Sequence, residues 1–368
     1  MCTHASLGYS GAMRVVIVGA SGNIGTSLLQ ALRDEPQVES ILGLARRRPQ
    51  TGFPRTEWAE ADIERDDLAS YFRGADAVVH LAWKIQPSRD LSALRRTNVD
   101  GSARVFGAVA AAKVPHLVYG SSVGTYSPGP KHRAVDEDWP REGIRTSFYG
   151  THKAEVERLL DTFEREHPST RAVRIRPGLV FKREAGEGIR RLFLGPFLPS
   201  PLVRRELIPL VPDVPGLRFQ AVHSLDVGDA YRRALLSDAR GAFNVAAEPV
   251  LDGPKLAQAL DARTVRVPPG LLRGAAGLTW RLRLQPTPAG WIDLGLGVPI
   301  MDVSRARTVL GWEPKRSSVD AFLDVMAGIR ERRGFPTPPL AAQTSGPARI
   351  HELATGVGRR ERPTRGGS

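Results

Sequence analysis

Directly after the apolar run Arg14-Val15-Val16-Ile17-Val18 stands Gly19-Ala20-Ser21-Gly22-Asn23-Ile24-Gly25, and an apolar helical pattern begins at Thr26. A buried strand that turns on glycines into a helix leaves a chain few alternatives. The glycines allow the tight turn and let the backbone approach a pyrophosphate, and the helix N-terminus offers it unpaired N–H groups and a partial positive charge. Strand, glycine string and helix in this order predict a dinucleotide site formed by Gly19, Ser21, Gly22, Asn23, Ile24 and Gly25.

Beyond that unit the chain alternates apolar strands with helical stretches. Strands are expected at Ser40–Leu44, Ala75–Leu81, His116–Tyr119 and Ala172–Arg176, the last stopped by Pro177-Gly178, and helices at Thr26–Arg33, Val99–Ala112 and Tyr149–Glu166. Such alternation means βαβ units, and so an α/β fold with a Rossmann-type doubly wound parallel sheet. The pattern degrades in the proline-rich stretches Pro196–Pro215 and Val267–Pro288, which predict a smaller C-terminal substrate-binding lobe. The expected division is a disordered N-terminal extension over 1–12, a dinucleotide-binding domain over 13–176, a lobe over 177–335 interleaved with the last elements of the sheet, and a disordered basic tail over 340–368. Gly270–Leu284 carries Arg273, Arg281 and Arg283 among leucines. It reads as a lobe helix that buries its leucines and solvates its arginines, with a basic amphipathic helix on a membrane surface as the alternative.

Composition narrows the function. The net charge of +13 comes from arginine, with no accompanying DNA- or RNA-binding module, so no nucleic-acid partner is expected. One cysteine, Cys2, and eight scattered histidines offer neither a disulfide nor a zinc spacing, so no metal is expected. No apolar run is long enough for a membrane span, and Met1–Gly11 lacks the order of a secretory signal, so a cytoplasmic location is expected.

Four further residues carry chemistry. Past the second strand the chain offers Ala45-Arg46-Arg47-Arg48 and no acid, so Arg46 is expected at the 2′-phosphate of NADP, with NAD as the alternative cofactor. Tyr149 and Lys153 stand one helical turn apart, where an ammonium would lower the phenol pKa toward a range useful for proton transfer. Ser122, at the end of the strand His116–Tyr119, would hydrogen-bond the substrate oxygen.

The order of these motifs resembles the extended short-chain dehydrogenase/reductases, also called the NAD-dependent epimerase/dehydratase family, over roughly residues 13–330. Asp62-Ile63, His80-Leu81-Ala82, Thr97-Asn98-Val99, Ser121-Ser122, Tyr149/Lys153, Arg176-Pro177-Gly178 and Leu310-Gly311-Trp312-Glu313-Pro314 carry the resemblance with the glycine motif. It implies that Asp62 and Ile63 flank the adenine, and that Leu81 and Ala82 line the nicotinamide half. It further implies that Lys153 holds the nicotinamide ribose, that Pro177 begins the covering loop, and that Asn98 belongs to the cofactor site. Pro177 stands where the sugar-nucleotide branch commonly has asparagine, and Phe219 where it has arginine, with Arg218 one place off. His223, Asp226 and Asp229 match a segment that supports the junction of sheet and lobe. The expectation is therefore an NAD(P)-dependent oxidoreductase acting on a small carbonyl or secondary alcohol, with Tyr149 as general acid/base and a homodimer as a candidate assembly. Three alternatives stand beside it: a nucleotide-sugar epimerase/dehydratase, a non-catalytic NADP-binding sensor, and a serine hydrolase using Ser122 of Gly120-Ser121-Ser122-Val123-Gly124 with Asp213 and His223.

Overall fold

A computed structural model describes residues 12–85, 89–193, 203, 207–284 and 288–340. The expected extension and tail therefore lie outside the described residues, except for Ala12 and Leu340, and Leu340 is buried. Seven parallel strands form the central sheet: β1 (Met13–Val18), β2 (Val38–Ala45), β3 (Thr56–Glu60), β4 (Ala77–His80), β5 (His116–Gly120), β6 (Arg171–Pro177) and β7 (Gly241–Val245). Their order is β7-β6-β5-β4-β1-β2-β3, the doubly wound arrangement. Val15–Val18 of β1 are all buried because the strand is covered on both faces. Val15 and Ile17 meet α1 (Asn23–Ala31) on one side, while Val16 and Val18 face α2 (Gly101–Ala111) and α3 (Phe148–Glu166) on the other. Strand order reverses between β1 and β4, so the chain leaves their C-terminal ends in opposite directions and opens a crevice there.

Some boundaries differ from the expected ones for identifiable reasons. A π-helical turn, Arg96–Asp100, precedes α2 and buries Thr97, Asn98 and Val99. Pro177 does not stop its strand: it pairs with Val245 at the end of β6, and the chain then bends at Gly178 into a short strand, Leu179–Phe181, paired with Ala221–His223. The bend needs glycine, since a Cβ on Gly178 would lie 2.4 Å from the Gln220 carbonyl oxygen. Next comes α4 (Ser224–Leu236), which packs on α1. The lobe contains a ribbon of Leu210–Asp213 with Arg263–Arg266, then α5 (Pro269–Arg281), α6 (Ala289–Gly297) and α7 (Ser318–Arg330). α5 is the helix expected in Gly270–Leu284, but the expectation that its leucines are buried is corrected: no residue of α5 is buried, and Leu271, Leu278 and Leu282 are exposed. Among the described residues no helix is long and apolar enough to cross a membrane, and no cluster of potential metal ligands occurs.

Candidate active site

The glycine loop is shaped by what its neighbours leave room for. Gly19 has φ +87°, and a Cβ there would lie 2.6 Å from the Ala82 nitrogen, while one on Gly25 would lie 2.5 Å from the Ala20 carbonyl oxygen. Gly22 is different, because a Cβ would meet only the Gly19 carbonyl oxygen, at 3.4 Å. It immediately precedes α1, whose first turn has neither a side-chain cap nor an acid. An open helix N-terminus beside a glycine cradle at the switch point fits the pyrophosphate of a dinucleotide. The loop is braced from outside: Asn23 Nδ2 donates to the Val180 carbonyl at 3.2 Å, and the buried Thr337 hydroxyl donates to the Ser21 carbonyl at 2.8 Å. The buried Lys182 ammonium donates to the Asn23 carbonyl at 3.0 Å and to the Thr26 hydroxyl at 2.7 Å, which puts a cation beside the same helix end.

The other expected cofactor residues surround this loop. Arg46 is exposed beyond β2, with Glu60 across from it accepting from the Arg48 backbone N–H at 3.1 Å. Asp62 and Ile63 follow β3; the Asp62 carboxylate accepts from Glu64 N–H at 3.0 Å, and Ile63 packs at Gly101. Leu81 leaves β4 with its N–H on the Val18 carbonyl, and Ala82 lies against Gly19. Asn98 is fully buried and works on the chain rather than facing outward: Oδ1 accepts from Lys84 N–H at 2.7 Å and Nδ2 donates to Lys84 C=O at 3.0 Å, clamping the segment that follows Leu81 and Ala82.

Ser122, Tyr149 and Lys153 converge from β5 and α3. Ser147 caps α3 by accepting from Gly150 N–H at 3.4 Å, which fixes the start of the helix and so places Tyr149 and Lys153 on one face. Ser122 Oγ accepts from Gly124 N–H at 3.1 Å, and the Ser122 hydroxyl acts on the Tyr149 phenol in the direction that lowers its pKa. Lys153 Nζ donates to the Gly120 carbonyl at 2.6 Å, reaches the Tyr119 hydroxyl at 3.4 Å, and lies 3.6 Å from the centroid of the Trp83 ring. Burial pulls Lys153 down to about 7, opposed by Glu157. The expectation that Lys153 depresses the Tyr149 pKa is corrected here. Part of the Tyr149 ring remains accessible, yet burial pushes its phenol up to about 12, and only the Ser122 hydroxyl acts the other way. The physical reason is that the Lys153 ammonium is spent on Gly120 and the Trp83 face.

Several residues were not foreseen. Trp83 stands edge-on to Tyr149 with centroids 6.0 Å apart, and Trp291 of α6 covers it at 5.2 Å and 31°. The signal for Trp83 was its place after His80-Leu81-Ala82; none existed for Trp291, which reaches the site only through the lobe. Glu157, one turn beyond Lys153, is fully buried and takes a bidentate grip from Arg176, at 2.8 Å and 2.6 Å, together with the Ser121 hydroxyl and Arg141. Arg176 thereby ties β6 to α3. Farther out, Arg218 Nη1 donates to the Lys131 carbonyl at 2.7 Å and Phe219 packs in the lobe core. His223 Nδ1 accepts from Leu225 N–H and its Nε2 pairs with Asp324; Asp226 binds Arg316, and Asp229 binds Arg232 and Arg233. All three are engaged by neighbouring residues, Asp229 by arginines of its own helix, and Ser122 leads into a single 3-10 turn rather than the helix a hydrolase elbow requires.

Comparison with known proteins agrees with this fold. The model of the NAD dependent epimerase/dehydratase family matches residues 15–246. An uncharacterised protein of Mycobacterium tuberculosis is 26% identical over 336 residues, 85% of this chain and 83% of its own. A UDP-glucose 4-epimerase of Lactobacillus helveticus is 29% identical over 155 residues, 40% of this chain and 46% of that one. The solved structure of DesIV, a dTDP-glucose 4,6-dehydratase from Streptomyces venezuelae with NAD and TYD bound, superposes with a TM-score of 0.66 at 20% identity, covering 89% of this chain and 100% of that one. At that identity the likeness speaks for the fold.

Proposed function

Because this chain belongs to the NAD-dependent epimerase/dehydratase family, we propose that it is a dinucleotide-dependent enzyme acting at a hydroxyl-bearing carbon of a sugar, with nucleotide-linked sugars as the substrate class. The observation that carries the reading is the convergence of Ser122 with Tyr149, which stands between two tryptophans, with Lys153 one turn away. Gly19, Ser21, Gly22, Asn23, Ile24 and Gly25 would hold the pyrophosphate, Asp62 and Ile63 the adenine end, and Leu81, Ala82, Lys153 and Pro177 the nicotinamide end. The bound dinucleotide supplies a ring that exchanges hydride with the substrate carbon. Tyr149 exchanges the proton of the substrate oxygen, and Ser122 orients that oxygen by the same hydroxyl that acts on the phenol. A phenol near 12 is protonated at neutral pH, so Tyr149 starts as the donor of a proton to the substrate oxygen. Trp83 and Trp291 offer apolar ring faces to the C–H side of a sugar and keep water from the reacting carbon.

Substrate class is supported by the UDP-glucose 4-epimerase and dTDP-glucose 4,6-dehydratase among the relatives. A second reading, a reductase of simple carbonyls, rests on Pro177 and on Phe219, which is packed in the lobe core. The deciding experiment incubates the protein with dinucleotide and a set of UDP- and dTDP-hexoses, reads epimers or dehydrated sugars by chromatography, and in parallel follows NADPH oxidation with a carbonyl panel. Product from a nucleotide sugar is expected; turnover confined to the carbonyl panel would replace this reading with the second one.

A further inference from the structure

The lobe exposes apolar side chains in one place more than anywhere else. Of the nine large apolar side chains most exposed among the described residues, Leu271, Leu278, Leu282 and Leu284 all belong to α5 and the turn after it, at 48–64% exposure. Leu271, Ala275, Leu278 and Leu282 follow one another at steps of four, three and four, so they make one stripe along the helix, and all four are exposed. The opposite side, with Leu272, Ala276 and Trp280, is half-buried toward α6. Burying a leucine is favourable and exposing three along one stripe is costly, so the stripe calls for an occupant.

Charge around the stripe identifies the occupant. Arg281 and Arg283 are exposed and have no ion-pair partner among the described residues. Arg89 lies over the Trp280 ring at 4.3 Å, and the strand leading into α5 exposes Arg263 and Arg266. Among the described residues Arg273 is the nearby arginine with a carboxylate, Asp293, at 2.7 Å. A second copy of the chain placed stripe against stripe would bring these arginines together, which like-charge repulsion disfavours. A surface of anionic phospholipid satisfies both parts: leucines enter the acyl boundary, and flanking arginines reach up to phosphates.

We propose that α5 is an interfacial helix that docks this protein on anionic membrane surfaces. The helix lies on the bilayer without crossing it. It packs on α6, which carries Trp291 over Tyr149, so docking holds the active-site lobe close to the headgroups.

The test is co-sedimentation of the full chain with vesicles of phosphatidylcholine alone and of phosphatidylcholine mixed with phosphatidylglycerol. Compared with the wild type are Leu271→Glu/Leu278→Glu and Arg281→Glu/Arg283→Glu, each first matched to wild type in thermal melting and in dinucleotide affinity. Binding is expected only with phosphatidylglycerol, weakened by salt, and reduced about tenfold or more in both variants. No sedimentation with phosphatidylglycerol vesicles would overturn the proposal. Equal sedimentation of wild type and the leucine variant would also overturn it, by assigning the binding to the general basic charge of the chain. A wild-type dimer that the leucine variant turns into a monomer would overturn it in favour of a second copy.

Discussion

In the proposed reading Lys153 has one obligation in the site, to hold the ribose end of a dinucleotide. In the structure it sits under Trp83 with its proton on the Gly120 carbonyl, and burial has drawn its pKa to about 7. Lys153→Met should therefore weaken dinucleotide binding about tenfold and lower activity with it; calorimetry showing unchanged affinity would place Lys153 outside the site. We propose that Arg46 meets the 2′-phosphate of NADP and so sets a cofactor preference. A guanidinium–phosphate contact of about 1.5–3 kcal/mol gives about a tenfold to hundredfold preference for NADPH over NADH. Arg46→Ala should remove most of it, with Arg47 holding the remainder, and equal affinities in the wild type would leave the arginines as a solvated run. Glu60, which accepts from the Arg48 N–H at 3.1 Å, is a carboxylate beside this run that would oppose the preference. At this scale the spacing of Tyr149 and Lys153 was legible, because a helix repeats every ~3.6 residues. The direction of the Tyr149 shift was not, since it depends on burial beneath residues far away in the chain.

On α3, Tyr149, Lys153 and Glu157 follow one another at four-residue steps, and the last of them anchors the first two. Arg176 and Arg174 hold Glu157 down to about 2 against the upward push of burial. Glu157→Gln leaves Arg176 buried without its counter-charge and should cost about 3–5 kcal/mol in urea unfolding at neutral pH. A carboxylate with a depressed pKa stabilises the fold fully above its unfolded value near ~4.3, and that share is lost as pH falls through the folded value. The gap between wild type and variant should accordingly shrink as the medium is acidified below about pH 4; a gap that stays constant would show that the loss is one of packing. An acid in a helix reads from sequence as a solvated residue, so its partner on β6 was invisible. The glycine loop was legible for the opposite reason, since strand, turn and helix N-terminus are consecutive. α5 shows the limit most clearly: its helix was legible from leucine spacing, but spacing says which residues share a face and not whether anything covers that face.

Across the whole molecule the doubly wound sheet follows from the strand–helix alternation, while the lobe was legible only as a change of texture. Its elements are short and joined by proline-rich segments, and the contacts that give them meaning, Trp291 on Tyr149 and Thr337 on Ser21, link residues distant in sequence. Two buried histidines set the acid limit of the fold. His80, bonded to Ser102, and His116 are both drawn to about 3, chiefly by burial. Their unfolded value is near ~6.5, so the unfolded chain binds more protons between these limits and stability falls as pH drops from about 6.5 toward 3. Thermal melting should decline as pH falls through that window; a melting point unchanged down to about pH 4 would contradict the buried, neutral state of both rings. The account as a whole turns on Tyr149 exchanging the substrate proton, and the variant Tyr149→Phe keeps the ring between Trp83 and Trp291 while removing that proton alone. Its turnover on the substrate found in the nucleotide-sugar screen, measured beside its dinucleotide affinity, is predicted to fall about a hundredfold to ten-thousandfold with affinity nearly unchanged, and retention of more than about a tenth of wild-type turnover would contradict the account.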